Sequence, residues 1–398
     1  MKIFQWLSIA AALASSPGHA QVSVKLGVLT DVGGLYADLS GAGSVTATRM
    51  AVEDFNAEAK GIKAEVVYAD HQNKPDVGAT IARRWFDQEN VDVILDIASS
   101  GVALAVSQLA RDKDKLFLTN AGTSDLTGKA CSPNTIQWTF DTYATSHGTG
   151  AALAKAGGDS WFFMTADYAL GHALERDTAE VVRASGGSVV GSVKHPTSTS
   201  DFSSFLLQAQ ASKAKIIGLA NGGADTINAI KQASEFGLTA NGTKLAALLA
   251  FITDVHSLGL NVAHGLVLTE AFYWDMNEQT RAFSKRFAER AKGRAPTTIQ
   301  AGMYSATLHY LKAVDALKSS ATGPVIAKMK ATPTQDPIFG SGYIREDGRK
   351  MHDMYLFEVK TPEESKAPWD YYKTIATIPA EKAFRPLSQS ACPLIKRP

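Results

Sequence analysis

The sequence predicts an α/β fold built from two doubly wound lobes. Short apolar runs alternate with amphipathic, helix-length stretches from residue 22 onward, and the alternation restarts after residue 143. Apolar runs separated by helices mark strands buried on both faces of a parallel sheet. The chain has 398 residues, 45% of them hydrophobic and 20% charged. That composition fills a globular core, and the length suits two domains at roughly 150 residues each.

The first cycle opens with the strand VSVKLGVLT and the helix GSVTATRMAVEDFNAEAK, where Val45, Met50, Val52 and Phe55 lie broadly along one face. The strand KAEVVYAD, helix VGATIARRWFDQEN, strand VDVILDIA, helix GVALAVSQLARD and strand KLFLTN follow. The second cycle runs DSWFFMTAD, LGHALERDTAEVVRASG, SVVGSVKH, DFSSFLLQAQASK, AKIIGLANGG, DTINAIKQASEFG and HGLVLTEAFYW, strand and helix by turns. Gly61, Gly157, Gly186 and Gly237 stand where helices should close, because glycine takes the left-handed conformation freely. Two further helices are expected in NEQTRAFSKRFAERAKG and AGMYSATLHYLKAVDALK. GYIREDGRKMHDMYLFEVK reads as one hairpin turning at Asp347 and Gly348. Residues 360–368, KTPEESKAP, read as a disordered loop.

Ahead of the first strand, MKIFQWLSIAAALASSPGHA carries Lys2, an apolar core from Ile3 to Ala14 and small residues up to Ala20. This is the pattern of a secretory signal peptide cleaved after Ala20. A membrane anchor takes about 20 continuous apolar residues, and Ser15, Ser16, Pro17 and Gly18 break this run. An exported chain with two cysteines, Cys131 and Cys392, is expected to pair them. The bond would strap the C-terminal tail, residues 379–398, to the region of residue 131. Lys and Arg number 40 against 39 Asp and Glu, with no dense basic cluster. Near-neutrality excludes nucleic acid as an expected partner, since polyanions favour basic patches.

Two stretches carry the functional signal. In LDIASSGVALAVSQ an apolar run ends in Ser99, Ser100 and Gly101, and a helix follows at once. In LFLTNAGTSDLTG the next strand runs into Asn120, Ala121, Gly122, Thr123 and Ser124. Ligands of open α/β sheets bind beyond such strand ends. Small side chains let a ligand approach the backbone, and helix N-termini offer unpaired N–H groups to anions. No Lys or Arg accompanies either loop, so a carboxylate suits them better than a phosphate. The plainer reading makes Ser99 or Ser100 a helix cap. Tyr36, Tyr143, Tyr168 and the run Phe272, Tyr273, Trp274 fall where strands give way to loops, and could line a pocket for a flat or apolar group.

Signals for catalysis are missing. No G-x-G-x-x-G, G-x-x-x-x-G-K-[ST], H-E-x-x-H or G-x-S-x-G occurs. The 9 histidines are scattered without metal-ligand spacing, so no catalytic residue, metal or cofactor is expected. His71, His147 and His172 read as surface or hydrogen-bonding residues. Asp31, Asp70, Asp141 and Asp167 read as caps at strand ends.

VKLGVLTDVGGLYADLSGAGSVTATRMAVEDFN, NAGTSDLTG, TADYALGHALERD, DHQNKPD and CSPNTIQWTFDTYA together resemble the type I periplasmic binding proteins. Within that family the chain is similar to the leucine/isoleucine/valine-type receptors of ABC importers, and to a branch that includes receptors for aromatic acids. The likeness spans essentially the whole mature chain. It implies a hinge and an interlobe cleft, with lobe 1 formed by residues 22–142 and 272–345. Lobe 2 would take residues 143–271 and 346–378. It implies a periplasmic monomer that hands a small molecule to permease subunits in the inner membrane. The family's carboxylate site maps onto Ser99 or Ser100 and onto Ala121, Gly122 and Thr123, with Tyr36, Tyr168 and Trp274 around the apolar end. Amino-acid-binding relatives place an acid on the opposite lobe. The matching stretch here, LAALLAF at residues 245–251, has none, with Asp225 and Asp254 as the nearest substitutes. The expected ligand is therefore a small organic carboxylate, an aromatic or 2-oxo acid before an amino acid, because a buried ammonium without a partner is costly. A branched-chain or aliphatic amino-acid receptor, or a ligand-sensing module for a signalling partner, are the alternatives.

Overall fold

The computed structural model describes residues 21–396; the expected signal peptide, residues 1–20, lies outside them. Strands β1 (Val22–Thr30), β2 (Ile62–Asp70), β3 (Val93–Asp96), β4 (Leu116–Thr119) and β5 (Thr135–Gln137) form a five-stranded sheet in the order β2-β1-β3-β4-β5. Every neighbouring pair is parallel. Helices α1 (Gly41–Phe55), α2 (Pro75–Asp87) and α3 (Ser100–Asp112) connect its first four strands. Core packing covers both faces: Leu26, Val28 and Leu95 with Met50 on one, Leu29, Ile94 and Phe117 with Val102 and Trp85 on the other.

After β5 come α4 (Thr142–Thr145) and α5 (Ala151–Lys155). Strands β6 (Ser160–Ala166), β7 (Ser188–His195), β8 (Ile216–Ala220) and β9 (Lys244–Ala247) then build a second parallel sheet, ordered β7-β6-β8-β9. Helices α6 (Ala169–Ala184), α7 (Ser203–Ala211) and α8 (Ala224–Glu235) link these strands, and α9 (Ile252–Leu258) with α10 (Leu260–Ala263) follows β9. Two sheets of this topology are the two doubly wound lobes expected from the hydrophobic rhythm. Gly61, Gly157, Gly186 and Gly237 all adopt positive φ at the ends of helical segments.

The chain then returns to the first lobe through β10 (Val267–Glu270), α11 (Glu278–Arg290), α12 (Thr298–Leu317) and α13 (Thr322–Ala331). Met303, Tyr310 and Leu311 of α12 join the core of the first sheet. Strands β11 (Thr334–Asp336), β12 (Gly340–Ile344) and β13 (Lys350–Met351) form a small antiparallel sheet. Strands β14 (Met354–Val359) and β15 (Tyr372–Ile378) pair with β10, and α14 (Ala380–Ala383) opens the tail.

Several expectations need correction. The hairpin at Asp347 and Gly348 pairs only Tyr343–Ile344 with Lys350–Met351. Met354–Val359 leaves it to become the central strand between β10 and β15, where four of its six side chains are buried. Residues 360–368 form an ordered turn. The Thr361 N–H donates to Glu364 at 2.8 Å, the Lys366 N–H donates to Asp370 at 2.9 Å, and Lys360 pairs with Asp370. Strand β9 and helix α13 went unpredicted, since four residues of KLAA and the weakly amphipathic TGPVIAKMKA carry little periodic signal.

Cys131 and Cys392 are bonded, with Cα atoms 5.5 Å apart and 261 residues between them. The tail thus leaves β15, beside the second lobe, and is fastened beyond β4 on the first. The C-terminal segment packs as it crosses: Phe384 is buried and the Arg345 guanidinium donates to the Arg385 carbonyl at 2.8 Å.

Candidate functional site in the interlobe cleft

Strand order locates the site. In the first sheet the winding reverses between β1 and β3, and in the second between β6 and β8. At such reversals the flanking loops diverge and leave a crevice beyond the strand ends. Loops after β1 and β3 present Tyr36 and Ser99–Ser100; those after β6 and β8 present Tyr168 and Gly222–Gly223.

The two crevices face each other and are closed together. The hydroxyls of Tyr36 and Tyr168 hydrogen-bond across the cleft. Gly223 sits so near the Leu35 carbonyl that a Cβ on it would lie 2.4 Å from the oxygen, and a Cβ on Gly122 would meet Leu170 at 2.8 Å. Phe140 and Phe251 have ring centroids 5.4 Å apart. Tyr36, Leu39, Ala98, Leu170, Leu249 and Phe251 belong to one apolar cluster drawn from both lobes.

At the polar end, Ser99 occupies the N-cap position of α3 but makes no side-chain capping bond, which removes the plain helix-cap reading for its hydroxyl. The Ser100 hydroxyl accepts the Thr123 N–H at 3.2 Å, tying the two small-residue loops together. The Thr123 hydroxyl accepts the Asp125 N–H at 3.3 Å. Gln137 braces the second loop by donating to the carbonyls of Ala121 and Thr123. Ser99, Ser100, Ala121 and Thr123 are all buried. One expectation changes: the N–H groups of Ala121 and Thr123 are not free, since the former donates to Thr119 Oγ1 at 3.0 Å and the latter to Ser100. An oxygen that accepts from the backbone still has its own proton to give. Donors toward an anion are therefore the Ser100 and Thr123 hydroxyl protons, with the first N–H groups of α3, which no intrahelical acceptor can reach.

The opposite wall is apolar. Both oxygens of Asp225 are occupied, by the Ser198 N–H at 3.1 Å and the Thr199 N–H at 2.9 Å. Asp254 accepts the Phe251 N–H at 2.9 Å within the cap of α9. Burial pushes Asp225 up to about 6 and Asp254 up to about 7, so at neutral pH Asp225 stays mostly ionised and Asp254 is partly protonated.

Tyr36, Ser99, Ser100, Ala121, Gly122, Thr123 and Tyr168 are thus brought together. Trp274 is not: its indole N–H donates to the Trp369 carbonyl at 2.7 Å, and its ring packs on the two lobe cores instead of the cleft cluster. Sequence reasoning missed Phe140, Gly222, Gly223 and Phe251. The run ANGGAD after β8 has the same small, polar character as the two loops of the first lobe, and that signal marks Gly222–Gly223. His71 is fully buried and accepts the Asn73 N–H at 3.0 Å. His147 stacks on Tyr143, and His172 pairs with Asp167 at 2.8 Å. Among the described residues no group of three or more His, Cys, Asp or Glu side chains is placed to hold a metal ion.

Two facing α/β crevices that close on each other at the ends of parallel strands define a two-lobed solute-binding protein. The family described as periplasmic binding protein matches residues 23–366, and the chain belongs to it. A periplasmic binding protein from Burkholderia mallei is 51% identical, with a TM-score of 0.92 over 94% of this chain and 99% of that one. A branched-chain amino acid ABC transporter periplasmic ligand-binding protein from Burkholderia xenovorans LB400 is 43% identical, with a TM-score of 0.83 over 93% and 99%. Leu/Ile/Val-binding protein homolog 6 of Brucella melitensis is 26% identical over 286 residues, 71% of each chain. A solute-binding protein from R. palustris in complex with benzoate, 21% identical with a TM-score of 0.79 over 90% and 97%, shares the fold. This chain is an ABC-type periplasmic solute-binding protein; its relatives bind and deliver small molecules and are not enzymes.

Proposed function

We propose that the chain is the receptor of an ABC importer for a small organic carboxylate lacking an amino group, an aromatic or 2-oxo acid, held in the interlobe cleft. The observation that carries this reading is the pairing of an uncharged donor cradle with an apolar opposite wall. The ligand carboxylate would take the hydroxyl protons of Ser100 and Thr123 and the N-terminal N–H groups of α3, beside Ser99, Ala121 and Gly122. Its body would lie among Tyr36, Tyr168, Leu170 and Phe251. Asp225 and Asp254 already hold backbone N–H groups of their own lobe, which commits them to that structure before an ammonium, and a buried unpaired charge is strongly disfavoured. Relatives of the same fold from R. palustris were captured with benzoate and 4-hydroxybenzoate, which supports an aromatic acid.

The description of the Burkholderia xenovorans relative favours a second reading, a branched-chain amino acid. Thermal shift of the mature protein against 4-hydroxybenzoate, 4-methyl-2-oxopentanoate and leucine separates the two. A ligand at 100 times its Kd adds about 2.7 kcal/mol, a shift of several degrees for a protein this size. The expected responders are the acids without an amino group. Ser100→Ala combined with Thr123→Ala should weaken their binding by tenfold or more, at roughly 1.5–3 kcal/mol for each bond to a charged group. Unchanged affinity in that variant would sink the cradle, and a shift with leucine alone would transfer the assignment to the amino acid.

A further inference from the structure

Asp177 of α6 is fully buried where the two lobes meet. Its carboxylate gathers donors from both lobes and from the tail. The hydroxyls of Ser124 and Thr142 donate to one oxygen at 2.7 and 2.6 Å. Arg176 Nε donates to the other oxygen at 3.0 Å, and the Arg385 guanidinium lies 3.5 Å from it. Arg176 also reaches the first lobe itself, donating to the Ser124 hydroxyl oxygen at 2.8 Å and pairing with Asp125 at 3.1 Å. Hydrogen bonds to a carboxylate are stronger than neutral ones, and more so away from water.

The two sides of this cluster are anchored in different lobes. Leu126, in the same short loop as Ser124 and Asp125, packs with Ile94 and Val102 of the first lobe. Leu174 and Val182 of α6 pack with Trp161 and Phe163 of the second sheet. Rotation of one lobe away from the other must therefore draw Ser124 off Asp177 and Asp125 off Arg176. Arg385 can stay with α6, where it makes two bonds to Glu180 at 3.1 and 2.9 Å. The loop is also bracketed on both sides of Thr123. The Gly122 carbonyl accepts the Thr142 N–H at 2.7 Å, and the Ser124 N–H donates to the Thr142 hydroxyl oxygen at 3.1 Å. Thr142 in turn donates to Asp177, so the second lobe sets a loop of the cleft wall.

We propose that Asp177 is a positioning residue of the binding cleft: with the lobes together it fixes the loop of residues 122–124, and its bonds to that loop hold the receptor closed. Bonds made in the closed state and lost in the open one shift the balance between the two by their difference in free energy. The role holds whatever solute the cleft takes, because neither Asp177 nor Arg176 belongs to the proposed cradle. It also gives the tail a function at the site, since Arg385 occupies the side of the carboxylate that the first lobe does not reach.

The experiment measures lobe separation in the mature protein without ligand, so its outcome is independent of the carboxylate reading. Spin labels are placed at Lys63→Cys on the first lobe and Lys231→Cys on α8, both exposed positions, and their distance distribution is recorded. The otherwise unaltered chain should show a closed component. Asp177→Asn should lower the ratio of closed to open by about tenfold or more, the factor for one hydrogen bond to a charged group. Arg176→Gln, at an exposed position, should lower it in the same direction and serves should the first variant fold poorly. Amide exchange at residues 122–128 should quicken in both variants, with that of β1 unchanged. A merely structural role would lower the Tm and speed exchange in both lobes while leaving the distance distribution alone. That result overturns the proposal, as does a distribution with no closed component before either substitution.

Discussion

Gly223 shows how one residue can report on closure of the whole molecule. Its φ of 61° and ψ of −136° lie in a region open essentially to glycine, and the Leu35 carbonyl of the other lobe leaves no room for a side chain. Gly223→Ala therefore meets two obstacles. Backbone strain of about 1–3 kcal/mol acts whether the lobes are apart or together. The clash with Leu35 acts only when they are together. We expect the unliganded variant to melt a few degrees lower and to bind ligand much more weakly, by tenfold or more for each 1.4 kcal/mol lost from the closed state. X-ray scattering should show it more open than the wild type in saturating ligand. Wild-type affinity in this variant would mean that the lobes close on different contacts.

Helix α6 carries the argument to the scale of an element. Its buried stripe of Leu170, Ala173, Leu174, Val181 and Val182 follows helical spacing, which made it legible in LGHALERDTAEVVRASG. Its placement depends on Gly171, where a Cβ would stand 2.0 Å from the Ala166 carbonyl and 2.9 Å from that of Ala220. The same helix reaches the cradle loop of the first lobe. Asp177 accepts the Ser124 and Thr142 hydroxyls at 2.7 and 2.6 Å, and Arg176 pairs with Asp125 at 3.1 Å. Gly171→Ala should lift the helix start from the sheet and lower stability by about 1–3 kcal/mol, as overpacking does. Calorimetry would show this as a Tm several degrees lower, and an unaltered Tm would mean that the helix shifts at no cost. Strand β9, by contrast, was illegible, because four residues at the edge of the sheet, exposed at Lys244 and buried at Ala246 and Ala247, are too few to show an alternation.

For the whole molecule, the tail joins what the hinge separates. Arg385 makes two bonds to Glu180 of α6, at 3.1 and 2.9 Å, and lies over the Tyr143 ring, while Cys392 is bonded to Cys131 on the first lobe. Closing a loop of 261 residues stabilises the fold by on the order of 5 kcal/mol in the chain-entropy account. Cys131→Ser with Cys392→Ser should lower the Tm by about six degrees, at roughly 1.3 degrees per kcal/mol for a chain this long. It should also widen the range of lobe separations seen by scattering. A double variant that melts with the wild type would show that the strap restrains little.

By itself the sequence determined the two doubly wound lobes, the cysteine pair and the two small-residue loops, because hydrophobic period, cysteine count and turn chemistry are written in neighbouring residues. Tertiary structure alone decided that Tyr36 meets Tyr168 across 132 residues of chain and that Trp274 turns away to Trp369. It also decided that Asp225 and Asp254 are engaged by backbone N–H groups. Each of these depends on where separate strand ends and lobes come to rest, and no local pattern encodes that.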